Sequence, residues 1–168
     1  MNWFVIAAET ILFTALFTIF VFAFFGTDRK YTPGGIHNYP PDIQEEYFKT
    51  HERTDTSVKS KNVIATKLSG LIMFIAVLLG CSVLAGAKTF LQGTCLALGL
   101  MFWIGAYDTF FLDWVLFAKM KRFRLEGTEH MDKEYAQKWF HLKGMLFPGT
   151  LFALIISAAV GGLTAIIL

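Results

Sequence analysis

Residues 144–168, GMLFPGTLFALIISAAVGGLTAIIL, contain no charged side chain. Roughly 20 helical residues cross a hydrocarbon core about 30 Å thick, so this stretch is long enough to span a membrane. Three more runs share that property. Residues 3–26 contain one charge, Glu9; residues 63–87 contain only Lys67; residues 89–118 contain Asp108 and Asp113. In lipid each run has to be helical, because unpaired backbone polar groups cost too much there. The whole chain agrees with this reading: 55% of it is hydrophobic and 17% charged, against about 25% charged in soluble domains. The first run lacks the basic start, the short apolar stretch and the cleavage pattern of a signal peptide, and so reads as a span. The expected fold is all-α and integral to the membrane. Four transmembrane helices form an antiparallel bundle, residues 1–168 make a single membrane domain, and a short interfacial amphipathic helix precedes the fourth span.

The polar loops set the orientation. Residues 27–62 carry Arg29, Lys30, Lys49, Arg53, Lys59 and Lys61, and residues 119–143 carry Lys119, Lys121, Arg122, Arg124, Lys133, Lys138 and Lys143. Lys67 falls on the same side and only Lys88 opposite. The positive-inside rule then places both long loops in the cytoplasm and both termini outside the plasma (inner) membrane.

Within the first loop, Pro33, Gly34, Gly35, Pro40 and Pro41 mark turns. Asp42 with Glu45 has the spacing of a capping box for a helix over about residues 42–52. That helix would turn Ile43, Tyr47 and Phe48 to one face and pair Glu45 with Lys49. Residues 54–62 read as a polar connector. In the second loop, Thr128 can cap a helix whose stripe is Met131, Tyr135, Trp139 and Leu142. Such a helix would lie along the membrane surface. Gly144 would be the hinge into the fourth span, with Pro148 in its first turn.

The intramembrane acids are the candidate catalytic groups. Asp108 and Asp113 lie near the cytoplasmic end of the third run, and five residues of α-helix set them about 140° apart. Lys119, Lys121 or Arg122 would pair with Asp113 at the surface, and Thr66, Lys67 or Ser69 would meet Asp108. Carboxylates in a span are otherwise functional by default. Lys67, Lys121, Arg122 and Arg124 would then be ligand-binding cations, the two arginines forming a phosphate clamp beside a carboxylate acid/base. Glu9 stands alone at the other end, on a span whose Thr10, Thr14 and Thr18 form a stripe suited to helix packing.

These residues frame three functions. The chain binds or acts on an amphiphile with an anionic head group, or it is a small oligomeric transporter using Glu9, or it is a non-catalytic subunit or regulator. Membrane lipids are the expected partners, together with a second copy of the chain or a membrane partner subunit. Small residues, Gly93 with Ala97 and Ala76 with Gly80, suit helix–helix contacts. A net charge of +2 and the lack of phosphate-loop or RNA-binding patterns give no case for nucleic acid. No cofactor motif is present. Cys81 and Cys95 have no metal or redox spacing and read as buried apolar residues. His37, His51, His130 and His141 fall in the loops without metal-ligand spacing, and His141 reads as an interfacial residue.

Overall fold

A computed structural model describes residues 1–25, 35–53 and 63–167, the side chains of 63–67 excepted. The expected turn residues Pro33 and Gly34, the 54–62 connector and the Thr66 and Lys67 side chains lie outside the described residues. The described chain is helical and holds no strand. Three of its helices are long and apolar enough to cross a membrane: α1 (Trp3–Phe24), the continuous helix Phe90–Phe117, and the kinked stretch Asp132–Ile167. The remaining apolar helix, α3 (Val63–Leu84), is described in full only over Leu68–Leu84, which is shorter.

α1 has an inverted polarity. Trp3, Phe4, Ile11, Leu12, Leu16, Ile19, Phe20 and Phe24 are exposed, whereas the buried residue of the helix is Glu9. Water does not tolerate such a surface; it is compatible with lipid around the helix.

The chain divides into two compact units. The first comprises residues 1–14, 59–105 and 147–168. Its core joins Leu78, Cys81 and Ala85 of α3 to Leu96, Ala97 and Leu100 of α4 (Phe90–Tyr107) and to Ile156 and Val160 of α7 (Thr150–Ile167). Residues 85–89 link α3 to α4. Gly86 takes a positive φ of 75° after the last helical turn, where its N–H bonds to Val83 O and that of Ala87 to Ser82 O. That is the glycine-terminated helix end that only a residue without Cβ forms cheaply. α4 and α7 cross at two glycines. A Cβ on Gly93 would meet Thr164 Oγ1 at 2.5 Å, and one on Gly161 would meet the Phe90 carbonyl oxygen at 2.5 Å. Gly93 and Ala97 are thus the packing pair the sequence marks. Ala76 and Gly80 are not: both are exposed. Cys81 is buried, but Cys95 is exposed, contrary to the expectation for both thiols.

The second unit comprises residues 15–58 and 106–146. Here the two long loops share one core: Ile36, Tyr39, Ile43 and Tyr47 pack with Leu125 and Tyr135. Helix α2 is Pro41–Tyr47, shorter than expected, and its N-cap is Pro40 rather than Asp42. Asp42 instead accepts a hydrogen bond from Gln137 Nε2 at 2.8 Å, so the capping box does not form. Lys49 pairs with Glu46 rather than Glu45. Burial among Tyr135 and Tyr47 pushes the Tyr39 phenol well above its ordinary range, so it stays neutral. Two short helices, α5 (Asp132–Tyr135) and α6 (Lys138–Gly144), replace the single amphipathic helix. The break between them swings the stripe apart: Tyr135 is buried, while Trp139 is 70% exposed. The kink before α7 falls at Phe147 rather than Gly144.

Tyr135 ties this unit internally. Its hydroxyl accepts the Leu125 N–H at 2.9 Å and pairs with Thr128 Oγ1 at 2.8 Å, all three residues being buried. Tyr135→Phe leaves that backbone donor unpaired and is expected to cost about 1–3 kcal/mol. Thermal unfolding in detergent reads the loss.

Candidate functional site

Downstream of Tyr107 the helix widens. Asp108–Phe117 is a ten-residue π-helix, in which N–H groups bond five residues back; the Ala118 N–H, for instance, reaches Asp113 O. The wider turn brings residues five apart closer in angle than an α-helix would. Asp108 and Asp113 share a face, and the 140° separation expected of an α-helix does not hold. Such π segments are frequent at functional sites.

Asp113 does not pair with Lys119, Lys121 or Arg122. Its Oδ2 lies 3.0 Å from Nδ1 of His141 on α6, with only 19% and 10% of the two side chains exposed. A carboxylate only accepts, so a hydrogen bond across this contact is one that Nδ1–H donates. Phe117 and Phe140 pack edge-on against the imidazole at 5.3 and 5.0 Å. The other ring nitrogen, Nε2, is buried and makes no hydrogen bond. Asp108 is half-buried and lies within electrostatic range of both Asp113 and His141. Trp114 braces α6 from the same π segment: its indole N–H donates to Lys138 O at 3.1 Å, and Lys138 Nζ sits over its ring.

The basic run divides by role. Lys119 and Lys121 are exposed. Arg124 is 4% exposed and spends its guanidinium on the protein. It donates to Ala118 O at 2.7 Å and Met131 O at 3.4 Å, pairs with Asp132 at 2.9 Å, and lies 3.9 Å over the Tyr135 ring. Arg122 donates to the Phe22 carbonyl at 2.6 Å between the Phe22 and Phe123 rings, and its Nε is buried with no acceptor. Phe123 in turn contacts Phe117 at 6.0 Å, and Phe117 contacts His141. One aromatic wall thus connects two buried nitrogens that make no hydrogen bond. Among the described residues no group of three His, Cys, Asp or Glu is arranged to hold a metal.

The sequence singled out both aspartates and Arg122 but not His141, which is an interfacial residue only by its position beside Trp139 and Phe140. The π turns that bring the acids together have no signature in a 3.6-residue period. No protein family, curated protein or solved structure matches the chain.

Proposed function

We propose that this is a multi-pass membrane protein that holds an amphiphile by its anionic head group beside the Asp113–His141 dyad. The observation that carries the reading is the fixed imidazole: Asp113 engages Nδ1, while Nε2 is buried and uncommitted. An oriented imidazole of this kind exchanges a proton with a ligand or, when doubly protonated, donates to an anion. Arg122 supplies the second donor through Nε, Lys119 and Lys121 draw anionic ligands to the surface, and Asp108 is the second acid/base group. Arg124 positions the loops and does not clamp the ligand.

In this reading α1, α3, the Phe90–Phe117 helix and α7 are four antiparallel spans. Both long loops face the cytoplasm and both termini lie outside, following the lysine and arginine bias. The common core of the two loops supports their being on one side.

Native mass spectrometry of protein purified in mild detergent tests the proposal. After exchange into phosphatidylcholine nanodiscs with or without phosphatidylglycerol, about one anionic lipid per chain should remain bound. His141→Ala and Arg122→Lys should each lower retention roughly tenfold, the loss of one charge-assisted hydrogen bond. Lysine keeps the charge but has no group equivalent to Nε. Retention in both variants equal to that of the unaltered protein overturns the reading.

A further inference from the structure

Glu9 is inverted relative to everything around it. It is 8% exposed in a helix whose other residues are not buried. Neither carboxylate oxygen makes a hydrogen bond, and both are buried. The neighbours Val5, Ile6 and Phe13 of α1 pack on the apolar core of Leu78, Cys81, Ala85 and Leu96. The α1 hydroxyls do not turn to the acid: Thr10 donates to Ile6 O and Thr14 to Thr10 O. Among the described residues, the Cys81 thiol lies in electrostatic range and brings no positive charge. The start of α1 is held in place, with the Asn2 N–H bonded to Ala85 O at 2.7 Å, so the acid is set in its packing.

A bare carboxylate in such surroundings is prohibitively costly. Three species relieve the cost: a basic partner, a metal cation or a proton. Among the described residues Glu9 has no ion pair. A metal cation such as Ca²⁺ or Mg²⁺ needs about six oxygen ligands, and a single carboxylate among apolar side chains does not provide them. A proton needs one oxygen. We infer that Glu9 is a proton-binding site within the membrane: the packed state holds the neutral acid, and the charged form requires α1 to loosen from α3 and α4. The proton comes from hydronium in the aqueous phase, forms an O–H bond on one carboxylate oxygen, and returns to water when that bond breaks.

The test uses the full chain in phosphatidylcholine vesicles. Infrared spectra should show a carboxylic acid C=O band that shifts in D₂O and is missing from Glu9→Gln. Dicyclohexylcarbodiimide, which enters lipid and adds to protonated carboxyls, should modify the peptide containing Glu9 in the unaltered protein; this needs no variant to fold. Identical infrared bands in the two proteins, or no adduct on Glu9, overturn the inference. Protection from the reagent by sodium but not by choline also overturns it, because it assigns the site to a metal cation.

Discussion

Gly161→Leu is expected to disrupt the packing of α4 on α7, costing about 3 kcal/mol, the upper end for forcing bulk into a close-packed contact. The first added carbon already collides with Thr94 Oγ1, lies 2.5 Å from the Phe90 carbonyl oxygen and 3.1 Å from Thr94 Cβ. Thr94 has some freedom to turn away; the Phe90 backbone has little. Thr94→Ala should therefore rescue Gly161→Leu only in part, a coupling that a double-mutant cycle isolates. Gly162 is the internal control, since nothing lies within 4 Å of a Cβ there. Thermal loss of the monodisperse peak in detergent, read by size exclusion, should separate the two variants clearly. Equal tolerance at 161 and 162 would show that the helices do not cross at this glycine.

Arg124→Met should have a comparable effect on the polar unit. Methionine keeps most of the stem's packing but removes the donors to Ala118 O and Met131 O, the Asp132 pair and the contact over Tyr135. Hydrogen bonds from a charged group contribute about 1.5–3 kcal/mol and a desolvated cation–π contact up to about 2 kcal/mol. Asp132 is 82% exposed, so water takes back much of that pair, and about 3 kcal/mol is the expected loss. Arg124→Lys should recover little, because an ammonium does not reproduce the planar fork that reaches two carbonyls and stacks on a ring. Faster chymotrypsin cleavage within residues 35–53 and 119–143 reads the loosening. Lys121→Met, at an exposed position, should leave the rate unchanged; a match between it and Arg124→Met would remove Arg124 as the tie.

The helices were legible in the sequence because lipid-length apolar runs have no other stable form, and the Gly93–Ala97 pair because close approach requires small residues. Ala76 and Gly80 carry the same pattern yet are exposed, since spacing does not say which face meets a neighbour. Residues within the loops were read from local rules that tertiary contacts overrode. Asp42 has cap chemistry, but Pro40 and Pro41 set the helix start and Gln137 takes the carboxylate. The nearest cations in sequence looked like the partners of Asp113, whereas a histidine from α6 fills that place. Arg124 reads as half of a phosphate clamp in a basic run, and only the folded loops show its guanidinium enclosed by two carbonyls and a ring.

The π segment gives the chain an unusual property. Ten residues wound this loosely carry slack that a tighter helix lacks. Rewinding to 3.6 residues per turn moves Asp113 about 140° from Asp108, and carries it away from the ring nitrogen it now holds. The distance between the two acids is therefore a setting of the backbone's winding. A ligand that favoured one winding over the other would shift that setting by its difference in affinity for the two.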